Sequence, residues 1–375
     1  MLFIRSQFKS SDFIPLHQPC FKGNEKKYLI DTIDSSFVST IGNYVNQFEE
    51  SVAKYTGSKY AIATVNGTAA LHIALLTAGV GQNDEVITQS LTFVATCNAI
   101  SYCGAESVFV DIDKDDLGMS PDSLLDFLEL YAELRNDGLC WNKKTNRVIR
   151  ACVPVHSFGH PVKIFKIKEI CDKFNIQLVE DAAESLGSYV NKTHTGKFGI
   201  SAAISFNGNK IVTTGGGGMI ITDNKLVAEK AKHITTTAKK KHPWLFIHDQ
   251  IGYNYRLPNL NAALGVAQME VLDEYIDKKR ELANNYMSWF SNTNYKFVTE
   301  SSQSRSNYWL NSFLADNRED RDRLLKYTNM NNIMTRPAWT PMHTLKMFKG
   351  NLRTDLSNTE WIENRLVNIP SSVIL

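Results

Sequence analysis

The chain lacks the features that mark nucleic-acid-binding, disulfide-bonded and exported proteins. Its 41 Lys and Arg nearly balance its 39 Asp and Glu, and a net charge of +2 gives no broad basic surface for a phosphate backbone. Six cysteines form no C-x-x-C pair, which indicates reduced thiols rather than a disulfide framework or a zinc site. Arg5 and Lys9 interrupt the N-terminal apolar residues, so we expect no signal peptide and a cytoplasmic protein without a metal ion.

Nucleotide-binding motifs and membrane spans are also missing. The 375 residues contain neither a G-x-G-x-x-G fingerprint nor a Walker loop, so no dinucleotide or ATP is implied. One run of 20 uncharged residues, 86–105, has the length of a membrane span, but its many hydroxyl and amide side chains argue against lipid. We expect a buried strand, a loop and a helix there, which either line a ligand site or belong to the core.

Short apolar runs alternate with helical patterns, which is typical of a mainly parallel sheet covered by helices. The predicted strands are 60–65, 85–88, 107–110, 151–155 and 177–179, and the predicted helices are 68–77, 95–102 and 164–174. Strands 202–206 and 219–222 lie too close for a crossover helix, which predicts an antiparallel pair. A helical pattern at 259–290 and weaker strands at 308–313 follow. We therefore divide the chain into an N-terminal arm (1–20), a large domain (21–235) and a small C-terminal domain (236–375).

A first candidate site is the N-G-T-A-A-L motif that begins at Asn66, directly after a predicted strand. Asn66 is suited to cap a helix, and Gly67 lets the backbone approach a ligand. Free N–H groups at a helix start bind anions. The motif predicts either a phosphate site or a simple cap and turn.

A second candidate is L-V-E-D-A-A-E at 178–184, which puts Glu180 and Asp181 at the end of an apolar run. Open α/β sheets build their sites at such strand ends. A buried carboxylate needs a cation or its pKa rises, so we expect one of the two acids to face a positive group. The alternative is that Asp181 caps a helix.

A third candidate is Lys210, which follows the predicted strand that carries Ser205 and precedes four glycines at 215–218. Since Ile204 and Phe206 face one side of the strand, the hydroxyl of Ser205 is free for a ligand on the other side. A partly desolvated lysine is a nucleophile towards carbonyls. The alternative for Lys210 is a solvated surface residue.

Together these three candidates could bind the phosphate, the ring nitrogen and the aldehyde of pyridoxal 5'-phosphate (PLP). On the motifs N-G-T-A-A-L, T-F-V-A-T, E-D-A-A-E-S, S-F-N-G-N-K-I-V-T-T-G and G-Y-N-Y-R, the chain resembles the DegT/DnrJ/StrS family of PLP-dependent nucleotide-sugar aminotransferases. The resemblance extends from Gly23 to Ser372. It implies an aspartate-aminotransferase-like (type I) α/β fold, with a mainly parallel seven-stranded sheet flanked by helices and a smaller α+β domain.

The resemblance also implies roles for individual residues. Lys210 would bind the cofactor aldehyde and act as nucleophile and general base, and Asp181 would pair with the ring nitrogen. Phe93 and Ala183 would pack on the two ring faces, and Glu184, where many relatives have Gln, would approach the ring hydroxyl. The phosphate would be held by Gly67, Thr68, Ala69 and Ser205 together with Asn254 of G-Y-N-Y-R, which would reach the neighbouring subunit of a homodimer.

For the substrate, residues 127–150 resemble an insertion in the subgroup that aminates C4 of a UDP-linked 4-keto-6-deoxy-N-acetylhexosamine for legionaminic acid or bacillosamine-type sugars. L-Glutamate is the expected amino donor, and Arg256 and His343 are candidate substrate contacts or ordinary ion pairs. Lys210 argues against the relatives that carry His there and dehydrate sugars. Amination at C3 and a PLP-binding regulator without turnover remain alternatives, and the missing G-x-G-x-x-G disfavours an oxidoreductase.

Two positions depart from the family pattern. Gly216 stands where relatives commonly have an acid in T-T-G-E-G-G, and the sequence ends at Leu375 without the closing helix of many relatives.

Overall fold

A large mixed sheet organises the computed structural model, which describes residues 1–375. The strands are β1 Tyr60–Thr64, β2 Glu85–Gln89, β3 Glu106–Val110, β4 Ala132–Leu134, β5 Cys140–Asn142, β6 Arg147–Val153, β7 Gln177–Asp181, β8 Tyr189–Val190, β9 Thr193–His194, β10 Ser201–Ser205, β11 Gly218–Thr222, β12 Lys296–Phe297, β13 Ser304–Arg305, β14 Asn311–Leu314, β15 Arg336–Pro337 and β16 Leu366–Ile369. Seven of them follow the order β1-β11-β10-β7-β6-β2-β3, and only β11 runs antiparallel to its neighbours. The predicted fold class and the antiparallel β10–β11 pair are confirmed.

Helices cover both faces of this sheet, and others pack on the small C-terminal sheet. They are α1 Leu2–Phe8, α2 Glu25–Asp34, α3 Asn43–Thr56, α4 Gly67–Thr77, α5 Val94–Tyr102, α6 Pro121–Tyr131, α7 Ile164–Lys173, α8 Lys225–Thr235, α9 Asn259–Glu270, α10 Leu272–Phe290, α11 Arg318–Met330 and α12 Ser357–Glu363. Among them, none combines the length and the hydrophobicity that crossing a membrane requires. The uncharged run at 86–105 forms β2, a loop and α5, as predicted.

Alternation along the strands divides the core into two layers. In β10, Ala203 packs with α4 on one face, whereas Ala202 and Ile204 pack with Phe48 of α3 on the other. Helix α4 lies deep in the first layer and is apolar all round, which suits a helix enclosed on every side. This burial fixes the start of α4 beside the end of β10.

The predicted helical pattern at 259–290 is confirmed, and the structure divides it at Val271 (φ −115°, ψ 5°) into α9 and α10. Leu272 at the start of α10 still packs in the same core as α9, and the rest of α10 extends to a second core. Val266 of α9 packs with Phe48 of α3, whereas Tyr286 of α10 packs with Phe313 of the small sheet. The predicted strand at 308–313 also begins later, at Asn311 in β14, since Tyr308 is in the left-handed region (φ 47°).

A second sheet of order β12-β14-β16-β15 lies in the C-terminal part of the chain. The N-terminal arm packs on this part: Phe3 stacks on Trp289 of α10, and Ile14 forms a bridge with Ile333. The division of the chain into three parts at residues 20 and 235 stays a prediction.

Residues 127–150 end α6, form the β4–β5 hairpin and begin β6. The hairpin joins the start of β6, where Trp141 pairs with Val148, and the Asn142 amide donates to Glu85 at the start of β2 (2.7 Å). It therefore lies at the amino ends of the parallel strands. Their carboxyl ends, where sites form in such sheets, lie at the opposite edge.

Lys279 of α10 is fully buried without a carboxylate partner. Its ammonium donates to the carbonyl oxygens of Trp309 (3.1 Å) and Ser371. Burial lowers its pKa to about 7, because a charged ammonium is poorly solvated in the interior. Keeping the side chain protonated therefore costs folding free energy.

This burial predicts a specific pH dependence of stability. Lysine in an unfolded chain has a pKa of about 10.4, so between about pH 7 and pH 10 the folded state binds fewer protons than the unfolded state. The free energy of unfolding of the wild type, minus that of Lys279→Met, should rise over this range by up to about 1.4 kcal/mol per pH unit. This rise in the unfolding free energy of the wild type is complete above pH 10 and is lost as the pH falls through 7. Urea unfolding of both proteins at pH 7, 8 and 9 measures it.

Lys278→Met is the matched control, since Lys278 precedes Lys279 and is 40% exposed. A difference between wild type and Lys279→Met that does not change with pH would contradict the expected loss of protonation.

Candidate active site

A cavity of about 390 Å³ opens at the carboxyl ends of β7 and β10. Eight of the ten predicted cofactor-binding residues line it: Gly67, Thr68, Phe93, Asp181, Ala183, Glu184, Ser205 and Lys210. Residues from separate segments of the chain therefore meet in one place. The three candidate motifs of the sequence form a single site.

The start of α4 forms one end of the cavity. Asn66 is extended and caps the helix, accepting from Ala69 N–H through its side chain (2.7 Å). The first backbone bond of α4 runs from Ala70 to Asn66, so the N–H groups of Gly67 and Thr68 precede the helical hydrogen bonds. A side chain at Gly67 would place its Cβ 2.8 Å from Cβ of Ser205, so glycine is required for this close approach. The helix start offers N–H groups and a hydroxyl to an anion.

The paired acids at the end of β7 point to different environments. The Glu180 side chain accepts from the N–H groups of Gly196 (2.8 Å), Phe198 (2.7 Å) and Gly199 (2.9 Å) and lies 3.1 Å from His156 Nε2. Burial alone would raise the pKa of Glu180, but these partners outweigh it and the pKa is lowered. Glu180 is thus satisfied within the protein and does not line the cavity.

Asp181 faces the cavity. Its carboxylate accepts from the Thr96 hydroxyl (2.8 Å) and from Ala183 N–H (3.1 Å), and Thr96 is bonded in turn to Thr92. Burial raises the pKa of Asp181, and the hydrogen bonds and Lys210 only partly oppose this. A carboxylate buried in this way is stabilised when a cation binds next to it.

Lys210 lies across the cavity, with its side chain 12% exposed. Its Nζ is 3.2 Å from Glu184 Oε1 and 3.8 Å from the centre of the Trp309 ring. Glu184 also accepts from Phe158 N–H (2.8 Å), and burial raises the pKa of its carboxyl more than Lys210 lowers it. The amine is therefore held between an acid and an aromatic face.

Four predicted residues lie outside the cavity of their own chain: Ala69, Asn254, Arg256 and His343. Ala69 contributes its N–H to the Asn66 cap, and the exposed Asn254 side chain accepts from Arg256 (3.1 Å). His343 is buried against the Ser90 hydroxyl (2.8 Å), and burial lowers its pKa. The role of His343 as a substrate contact stays a prediction.

Sequence reasoning missed two aromatic walls of the cavity, Trp309 and Trp339. Trp309 follows Tyr308 in a segment read only as a weak strand, and Trp339 stacks on Phe158 with ring centres 4.5 Å apart. Neither residue lies in a periodic pattern that points to a ligand. Only the fold brings them to the site.

The cavity fits PLP on the chemistry of its residues. The helix start at Gly67 suits the phosphate, and the open ring face of Phe93, a residue 54% exposed, suits stacking on an aromatic ring. The buried Asp181 suits a protonated ring nitrogen, and Lys210 suits an aldehyde. Fold and site together define a PLP-dependent aminotransferase of the aspartate aminotransferase type.

Comparison with known proteins gives the family. The model of the DegT/DnrJ/EryC1/StrS aminotransferase family matches residues 19–375. The chain belongs to this family of PLP-dependent sugar aminotransferases.

Several relatives match along nearly the whole chain. The GDP-perosamine synthase of Vibrio cholerae is 36% identical over 366 residues, covering 96% of this chain and 94% of the relative. The enzyme of the same name from Escherichia coli O157:H7 is 36% identical over 364 residues, covering 96% and 93%. Among solved structures, Helicobacter pylori PseC, an aminotransferase of pseudoaminic acid biosynthesis, has a TM-score of 0.85 at 22% identity, covering 96% of this chain and 93% of PseC. This last match supports the fold.

The different settings of the two acids predict opposite effects of two conservative variants. Asp181→Asn removes the charge that would pair with the ring nitrogen of PLP. Breaking a buried charge pair costs on the order of 2–5 kcal/mol of interaction free energy. At about 1.4 kcal/mol per tenfold, turnover should fall roughly 30-fold or more, with the fold kept. Glu180→Gln should instead lower the melting temperature, since it disturbs N–H partners outside the cavity. Steady-state rates and thermal unfolding of both variants measure this, and a nearly normal rate in Asp181→Asn would reverse the assignment.

Proposed function

We propose that the enzyme transfers an amino group from L-glutamate to C4 of a nucleotide-linked 4-keto-6-deoxy sugar for the synthesis of a surface glycan. The observation that carries this proposal is the meeting of Asp181, Lys210 and the start of α4 in one cavity. An acid, an amine and an anion-binding helix start are what transamination with PLP requires. Family membership supports the same reaction class.

The roles of the residues follow from their positions. PLP, when bound, draws electrons from the carbon that carries the transferred amino group. Asp181 would hold positive charge at the ring nitrogen, and the N–H groups of Gly67 and Thr68 would hold the phosphate together with the Ser205 hydroxyl. Lys210 Nζ would hold the cofactor through its aldehyde and, as a free amine, would move a proton. Glu184, 3.2 Å from this amine, accepts its hydrogen bond.

Two observations favour different nucleotides. The resemblance of residues 127–150 to an insertion favours UDP and an N-acetylhexosamine. However, this hairpin lies at the sheet edge away from the cavity of its own chain and supplies no lining residue. Two GDP-perosamine synthases at 36% identity favour GDP, which makes a GDP-linked keto sugar the second candidate.

A homodimer with shared sites is part of the proposal. The segment that carries Asn254 is fixed beside β1 by Tyr255, whose carbonyl accepts from Val65 N–H (2.8 Å), while the Asn254 side chain is exposed. Large apolar side chains are exposed at Phe37, Ile41, Trp244, Phe246 and Ile251. Exposed apolar surface of this kind is typical of an interface with another chain.

The proposed reaction predicts a product that can be identified directly. Incubation with L-glutamate and a panel of UDP- and GDP-linked 4-keto-6-deoxy sugars should give one 4-amino sugar, with its amine placed by NMR. L-Glutamate alone should remove the visible absorbance of the PLP enzyme. Lys210→Ala is the control: it should lose turnover, and borohydride should no longer fix the cofactor on the peptide that contains residue 210.

A product aminated at C3 would replace the proposed C4 aminotransferase by a C3 aminotransferase. A coloured protein that responds to no amino donor would favour a PLP-binding regulator. Fixation of the cofactor on another lysine of the wild type would refute the role of Lys210.

The shared site predicts complementation between two inactive variants. If Asn254 acts in the partner's site, a heterodimer of Lys210→Ala and Asn254→Ala subunits has one site with both lesions and one with neither. Random pairing should restore up to about a quarter of wild-type activity, because roughly half of the dimers are mixed and each has one intact site. Co-expression with two affinity tags isolates the heterodimer. If Asn254→Ala is inactive alone and the verified heterodimer is no better than its parents, Asn254 acts within its own chain.

A further inference from the structure

Trp309 connects the small sheet to the reactive lysine. The centre of its ring lies 3.8 Å from Lys210 Nζ, and its indole N–H donates to the carbonyl of Asn209, which precedes Lys210 (2.7 Å). It thus contacts the lysine and its loop at two points. A cation held over an aromatic face is stabilised in that position.

The main chain of Trp309 is held from both sides. Its N–H donates to Asn307 Oδ1 (2.8 Å), and its carbonyl accepts from Lys279 Nζ (3.1 Å). Lys279 also donates to the carbonyl of Ser371. One buried ammonium on α10 therefore ties down two separate segments of the C-terminal part of the chain.

No acid offsets the charge of Lys279. The titratable group that faces it from the N-terminal arm is His17. Burial, followed by the charges of Lys279 and Lys210, holds the pKa of His17 well below its usual range. A buried cation without a counter-charge is costly. Its hydrogen bonds to carbonyl oxygens are what hold Lys279 in this place.

We propose that Lys279 is a positioning residue that, through the carbonyl of Trp309, keeps the indole over Lys210. The inference rests on the assignment of Lys210 as the reactive amine in the proposed function. Lys279 itself does not line the cavity, so it acts only through Trp309. Loss of the Lys279 hydrogen bond leaves Trp309 held by Asn307 and Asn209 alone, so the indole covers the Lys210 amine less of the time.

The test measures the reactivity of Lys210 in the protein without cofactor. Reductive methylation by formaldehyde and cyanoborohydride is followed at each lysine by peptide mass spectrometry. Lys279→Met and Trp309→Leu should each raise the rate at Lys210 about threefold, the factor expected when an ammonium loses a cation–π contact. The double variant should equal the single variants, because both changes remove the same contact.

Three controls separate positioning from a loss of structure. Lys197, 15% exposed and paired with Asp223, reports general loosening and should keep its wild-type rate. Lys278→Met should leave Lys210 unchanged, and Lys279→Arg, which keeps the donors, should restore the wild-type rate. If Lys279→Met does not fold, Lys279→Leu, which also lacks a donor, is measured in its place and should raise the rate at Lys210 by the same factor.

Equal methylation of Lys210 in wild type and folded Lys279→Met overturns the inference. Additive effects of the Lys279 and Trp309 variants, or an equal rise at Lys197, overturn it as well. Because no sugar or amino donor enters this assay, these outcomes are distinct from failure of the proposed reaction, which the substrate panel reports.

Discussion

The carboxylate of Glu180 is surrounded by N–H donors from the loop at 196–199, which directly precedes β10. Three N–H groups at 196–199 and His156 bind it, so β7 and the segment that leads into β10 are joined through one buried charge. The register Asp181 against Ala203 then follows, and alternation along the strand turns Asp181 to the other side. The position of Asp181 in the cavity thus depends on a neighbouring acid that does not line it.

Charge balance gives the site a second constraint. The cavity holds two buried acids, Asp181 and Glu184, and one lysine, Lys210. Burial raises the pKa of both acids, as expected when positive charge is short. A ligand that brings a positive ring nitrogen and a negative phosphate to opposite ends of the cavity would satisfy both ends at once, and PLP does so.

The parts of the site that could be predicted from sequence are local. The cap at Asn66, the acid at the end of β7 and the lysine after β10 each lie next to a strand whose apolar pattern is clear. Trp309 and Trp339 could not be predicted, because they reach the cavity through packing between distant segments. The bend at Val271 was also hidden, since apolar residues at helical spacing continue across it from α9 into α10.

The β4–β5 hairpin lies at the amino ends of the parallel strands and is tied to the sheet mainly through β6 and Glu85. Its turn, where Asp137 binds the Trp141 indole, is exposed. Length changes at an exposed turn perturb a sheet little. The hairpin is therefore a place where relatives can diverge in sequence, or where a fluorescent label or a fused domain can be attached, without altering the chemistry at the other edge.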